Sequence, residues 1–197
     1  AVKRLWPEAK LTMGPPVEDG FYYDIDRDPP FAEDDLPKIE EAMRAIVRED
    51  LPVRRIEFGT EYARAREVFA KRGETYKVEM LDAIAQKGET ASAYEQGEFV
   101  DLCRGPHVPS TGVLKEFKLL KVAGAYWRAD EKNRQLTRLY GVSFPTKAQL
   151  DAHLAMLAEA EKRDHRRLGQ ELGLFLAPDE AVPGMPLFKP NGAHLRM

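Results

Sequence analysis

Apolar positions fall at helical spacing in some stretches of the chain and at strand spacing in others. Leu36, Ile39, Met43, Ile46 and Val47 form one helical stripe, with Asp34 or Asp35 as the cap and Pro37 in the first turn. Thr60 is read as the cap of a second helix that Gly73 ends. Tyr76, Met80, Leu81 and Ile84 mark a third, closed by Gly88. The strand-like stretches are "EDGFYYDID" (18–26), "LPVRRIEFG" and the two arms of "ASAYEQGEFVDLC" around its "QG" turn. "FKLLKVAGAYW" and "RQLTRLYGVSF" flank the polar turn "ADEKN". Helices and strands do not alternate strictly. The pattern predicts an α+β fold in which helices pack on an antiparallel sheet.

Pro145 and Thr146 mark a boundary. Beyond it, Leu150, Leu154, Leu157, Leu168 and Leu172 predict one continuous helix over 147–172, with Gly169 its weakest point. A helix of about 25 residues spans roughly 37 Å, enough to hold two domains apart. The run "EKRDHRR" is its solvated middle. A turn-rich stretch, "APDEAVPGMPLFKPNG", then begins something new. The opening "AVKRLWPEAK" reads as the tail of a helix, with Ala1, Val2 and Leu5 at helical spacing, and the closing "KPNGAHLRM" as the start of another element. Both ends lead to the expectation of a fragment of a longer protein.

Composition narrows the class. With 43% hydrophobic and 32% charged residues over 197 positions, the chain is globular rather than disordered. It shows neither a membrane span nor a signal segment. A single cysteine makes no internal disulfide, which favours a reducing, cytoplasmic setting. A net charge of −3 excludes wholesale nucleic-acid binding and leaves room for local basic patches.

The candidate chemistry lies in "DLCRGPHVPSTG" (101–112), which holds the one cysteine and, four residues on, a histidine. Cys103 and His107 suit zinc by type, but a structural site wants four ligands and a catalytic one three. His153 and His165 are twelve residues apart on one predicted helix, too far to share an ion, so the chain offers two ligands and not a metal site. An ordinary surface turn is the alternative. Asp101 and Cys103, two apart, share a face if the segment is a strand. A carboxylate near an imidazole sets its tautomer and raises its basicity, which suits acid–base work on an ester or amide. Lys77, if nearby, would stabilise an oxyanion; otherwise it is a solvated helix lysine. The mixed basic and aromatic run "KEFKLLKVAGAYWRADEKNR" suits a phosphate backbone or a stacked base, and equally a half-exposed sheet.

"GPPVEDGFYYDID", "YKVEML", "DLCRGPH", "FKLLKVAGAYWRADEKNRQLTRLYG" and "EKRDHRRLGQELGLF" together resemble threonyl-tRNA synthetases across essentially the whole chain. Alanyl-tRNA synthetases share a looser version of the domain. The resemblance implies an editing domain over 1–145, a linker helix over 146–172 and the start of a class II aminoacylation domain over 173–197. It implies hydrolysis of serine wrongly attached to tRNA(Thr), with Cys103 and His107 as one half of the site. Asp101 and Lys77 match site residues of the family, and Tyr23 a tyrosine at the pocket mouth. The other half, an His-x-x-x-His pair, would lie just before Ala1. No metal ligand is assigned in this chain, and zinc at the editing site stays open. ATP, magnesium and zinc are implied for the complete synthetase, expected to be a cytoplasmic homodimer. Its partners would be the aminoacyl 3′ end of tRNA(Thr) and serine and threonine esters, with no membrane. The rival readings are a non-catalytic tRNA-binding module and a zinc-dependent, alanyl-type trans-editing domain.

Overall fold

A computed structural model describes residues 1–17, 20–176 and 187–194. The chain forms two compact units, Ala1–Leu150 and Asp151–Met197.

The first unit opens with α1 (Val2–Leu5), β1 (Lys10–Leu11), β2 (Pro16–Val17) and β3 (Gly20–Asp26). Then come α2 (Leu36–Glu49), β4 (Val53–Gly59), α3 (Tyr62–Lys71) and α4 (Thr75–Gln86). Two hairpins follow, β5 (Ala91–Gln96) with β6 (Phe99–Leu102) and β7 (Glu116–Tyr126) with β8 (Gln135–Phe144). All strand pairings are antiparallel. The fold is the expected α+β arrangement, with two sheets in place of one: five strands in the order β1-β3-β8-β7 with β2 on β3, and three in the order β4-β5-β6.

Each sheet has its own core. Leu11, Ile25, Leu36, Ile39, Leu119 and Leu139 form the first, which α2 covers. Phe58, Ala65, Phe69, Leu81, Ala93 and Val100 form the second, under α3 and α4. The α2 stripe is buried as the spacing predicts at Leu36 and Ile39, and Met43 packs against the same cluster. Glu40 is buried with them, which the spacing did not foretell. Its cause lies across the interface. Leu120 is the extra residue of a bulge between the pairs Leu119↔Gly141 and Lys121↔Tyr140. Glu40 accepts the Leu119 N–H there at 2.8 Å and pairs with Lys118 at 2.9 Å.

Local punctuation follows the sequence in part. Gly73 and Gly88 end their helices at φ +71 and +66. Asp35 occupies the cap position of α2, although its carboxylate reaches back to the Ala32 N–H at 3.2 Å. Thr60 does not cap α3 with its side chain: Glu61 holds the cap position, without a side-chain cap bond. Of the predicted strand 18–26, Glu18 and Asp19 lie outside the described residues.

The linker departs from expectation. It is two helices, α5 (Lys147–Lys162) and α6 (His165–Glu171), rather than one helix over 147–172. The Arg163 N–H is shared between the Glu159 and Ala160 carbonyls at 3.2 and 3.1 Å, and the Asp164 N–H reaches Glu161 at 3.2 Å, so the last turn tightens. The Asp164 carbonyl then accepts the Leu168 N–H at 2.9 Å and starts α6 from a residue type favoured at that position. Gly169 is not the break. It lies inside α6, where an added Cβ would meet the Phe175 ring. The second unit is completed by β9 (Phe175–Leu176), β10 (Leu187–Phe188), paired antiparallel, and α7 (Pro190–His194). The stretch read as the start of another domain falls partly outside the described residues. No helix among the described residues is long and apolar enough to cross a membrane.

The segment after β6 is strapped down. The Thr111 hydroxyl, 2% exposed, donates to the Ile46 carbonyl at 2.8 Å and accepts the Leu51 N–H at 2.9 Å. The Thr111 N–H donates to the Leu51 carbonyl, and the Val53 N–H to the Pro109 carbonyl, each at 2.9 Å. Thr111→Val keeps the shape and orphans two backbone groups, which costs about 1–3 kcal/mol. The expected result is a melting temperature lower by several degrees in the variant, with Thr111→Ser close to the parent, read by calorimetry.

Candidate active site

The site is assembled on one face of the β4-β5-β6 sheet. Across the two-residue turn Gly97–Glu98, the register pairs Gln96 with Phe99, Tyr94 with Asp101 and Ala93 with Leu102. Ala93, Val100 and Leu102 point into the core. Alternation therefore puts Ser92, Tyr94, Asp101 and Cys103 on the opposite face.

Three predicted residues meet there. The Lys77 ammonium, on α4, lies 2.5 Å from Asp101 Oδ1 and donates to the Tyr23 hydroxyl oxygen at 3.0 Å. The Tyr23 hydroxyl donates to Asp101 Oδ2 at 2.5 Å. Lys77 is 2% exposed, so it is not the solvated helix lysine of the alternative reading. Tyr23 packs its ring against the first core and reaches with its hydroxyl into the second sheet. Burial first, and then the Asp101 charge and hydrogen bond, push its phenol well above the ordinary value of 10.0.

The other two predicted residues form a separate pair. His107 Nε2 lies 3.2 Å from Cys103 Sγ, and the Gly105 N–H points at the same sulfur at 3.4 Å. Cys103 is anchored through its backbone: its N–H donates to the Ser92 carbonyl at 3.1 Å, and its carbonyl accepts the Ser92 hydroxyl at 2.7 Å. Asp101 hydrogen-bonds Tyr23 and pairs with Lys77, not with the imidazole, although the sequence spacing suggested it as His107's partner. His107 stacks instead on Tyr94, with ring centroids 4.1 Å apart and planes 31° from parallel. Sequence reasoning passed over Tyr94. The turn is Gly97–Glu98, one residue later than the expected "QG", and counting back across it places Tyr94 opposite Asp101.

Cys103 and His107 supply two ligands, and no group of three His, Cys, Asp or Glu side chains among the described residues could hold an ion. What the arrangement offers is an exposed imidazole beside a sulfur, next to a buried cation–carboxylate–phenol cluster. A cleft of about 460 Å³ adjoins it, lined by Met13, Met80, Ser92, Cys103, Arg104 and Arg128 among others. At its rim Arg128 and Ala129 adopt φ of +56 and +57, a left-handed conformation that side chains disfavour.

A family profile described as "Threonyl and Alanyl tRNA synthetase second additional domain" matches residues 92–140, which hold β6, the Cys103–His107 segment and most of the β7–β8 hairpin. Among curated proteins, the threonine–tRNA ligase of Rubrobacter xylanophilus is 57% identical over 197 residues. Threonine–tRNA ligase 1 of Bacillus subtilis is 54% identical over 196 residues, and the threonine–tRNA ligase of Carboxydothermus hydrogenoformans 55% over 196. Each match covers 100% of this chain and 30% of the relative, so the chain spans about a third of the length of these proteins.

The raised Tyr23 phenol gives a pH test. Its folded pKa lies above its unfolded one, so its contribution is fully present below pH 10.0 and is lost as pH rises toward the folded value. Tyr76, also raised by burial and by its bond to Asp26, adds a similar slope. Between pH 10.0 and about 12 the parent's melting temperature should fall, and in Tyr23→Phe it should fall less steeply. Equal slopes for the two proteins would remove the buried phenol from the account.

Proposed function

We propose that this chain, a sequence of the threonyl-tRNA synthetase family along its whole length, removes serine wrongly esterified to tRNA(Thr). The observation that carries the reading is the meeting of Lys77, Asp101 and Tyr23 beside the Cys103–His107 pair, whose cysteine lines a cleft. On this reading residues 1–145 are the editing part of a threonine–tRNA ligase. Residues 146–172, as two helices, lead to its class II aminoacylation domain, which starts at 173–197. ATP, magnesium and zinc serve the complete ligase, a cytoplasmic homodimer whose partner is tRNA(Thr).

The chemistry has a physical motive. Serine lacks one methyl of threonine, and a missing methyl is worth only about 1–3 kcal/mol in a binding pocket. A synthetic site that fits threonine therefore admits serine. A second pocket that fits serine excludes threonine by overlap, and each serine ester that enters it is hydrolysed.

In the proposed reaction a water oxygen attacks the ester carbonyl carbon and loses a proton to His107. The carbon–oxygen bond to the terminal ribose breaks, and the ribose oxygen takes up a proton. Free serine and a free 3′ hydroxyl result. In the tautomer whose Nε2–H donates to Sγ, Nδ1 is the acceptor of the water proton. Cys103 orients the imidazole and is not the nucleophile. Lys77, 2% exposed, acts from behind the surface: it fixes Asp101 and Tyr23 and contributes positive charge near the developing oxyanion. The cleft beside Cys103 takes the ester end.

The test is His107→Ala within the full-length protein. Ser-tRNA(Thr) hydrolysis should fall about 10²–10⁴-fold, with threonylation and the melting temperature near parent values. A variant that melts normally and clears Ser-tRNA(Thr) at the parent rate would overturn the reading.

A further inference from the structure

We infer that Tyr94 is the positioning residue for His107, fixing the plane of the imidazole by a ring stack where a carboxylate would otherwise do so. The inference rests on the hydrolytic reading above.

His107 is an exposed side chain, and among the described residues its one polar contact is Nε2 to Cys103 Sγ at 3.2 Å. A single contact at one ring atom leaves the ring free to turn about it. The free nitrogen would then sweep over many directions. Among the described residues no carboxylate hydrogen-bonds to His107, and Asp101 is taken up by Lys77 and Tyr23. The second constraint is Tyr94, its ring centroid 4.1 Å from that of the imidazole and its plane inclined by 31°. Point contact at sulfur and face contact at Tyr94 together define the ring plane.

Tyr94 is itself well held. It sits in the central strand of its sheet, paired with Arg55 on one side and Asp101 on the other. The same register puts it on the face that carries Asp101, so one residue ties the buried cluster to the exposed pair. The segment that brings His107 over the ring is shaped to allow this. Gly105 has φ +74, and a Cβ there would collide with the Tyr94 hydroxyl and ring carbons. The backbone therefore passes directly against the tyrosine, and two residues later the imidazole lands on its face. Arg104 and the cleft lie on the same short segment, so tilting the ring changes where its free nitrogen points relative to the ester.

The test compares Tyr94→Phe, which keeps the ring, with Tyr94→Leu, which keeps bulk and loses it. Two readouts are taken: the His107 ring-proton resonances of this chain by NMR, and single-turnover Ser-tRNA(Thr) hydrolysis in the full-length protein. The parent and Tyr94→Phe should show upfield-shifted His107 protons from the tyrosine or phenylalanine ring current. Tyr94→Leu should return them toward the positions of a free histidine. The hydrolysis rate should drop about 10- to 100-fold in Tyr94→Leu with half-saturation and melting temperature near parent values, and Tyr94→Phe should restore it. Unmoved His107 resonances in Tyr94→Leu, or an undiminished rate there, would overturn the assignment. So would a rate loss that only follows the melting temperature. A parent protein without esterase activity would sink the hydrolytic reading by itself, while the spectra would still decide whether Tyr94 orients the ring.

Discussion

The Lys77 ammonium is withdrawn from water almost completely, at 2% exposure, and an unpaired charge so placed would cost several kcal/mol. Asp101 and Tyr23 meet that demand at 2.5 and 3.0 Å. These three side chains come from α4, β6 and β3, and hence from both sheets. Satisfying one buried charge thus fixes how the two halves of the first unit meet. Other polar contacts run the same way. Glu74, also buried, accepts the Leu11 N–H at 3.0 Å, and the Tyr76 hydroxyl donates to Asp26 at 2.8 Å. Each links α4, or the Glu74 at its cap position, to the five-stranded sheet. Removing one partner of such a cluster leaves the others buried and unmatched, which costs more than the surface ion pairs elsewhere on the chain contribute.

The reactive-looking groups sit just outside that rigid cluster. Asp101 ends inside it, and two residues later Cys103 and then His107 emerge at the surface. The intervening backbone is held by Ser92, by the Thr111 strap and by the fit of Gly105 against Tyr94. The segment "DLCRGPHVPSTG" is therefore not a loose turn. It is a constrained path that carries one imidazole from a buried carboxylate to the surface, past Cys103, which lines a cleft.

Much of this was legible in the residues. The α2 stripe, the two hairpins and the helix-ending glycines follow from apolar spacing and turn chemistry, which act locally. The face shared by Asp101 and Cys103 follows from strand alternation. What escaped notice depends on contacts between distant segments. Glu40 is buried where β7, at the edge of its sheet, offers it the Leu119 amide. The helix over 147–172 is interrupted at Arg163 and Asp164, where the last turn of α5 tightens and the Asp164 carbonyl begins a new helix. Asp101 turned to Lys77 rather than to His107 because burying the ammonium is the stronger demand. Tyr94 lies opposite Asp101 on the neighbouring strand, a relation that depends on the exact turn position rather than on the spacing within "DLCRGPH".

The central claim is that this face distinguishes serine from threonine esters and hydrolyses the former. The most direct measurement is single-turnover deacylation of Ser-tRNA(Thr) and Thr-tRNA(Thr) by the full-length protein, side by side. The account predicts rapid loss of the serine ester while the threonine ester persists at close to its spontaneous rate. Equal rates for the two esters, or a serine ester that survives as long as it does in buffer, would contradict it.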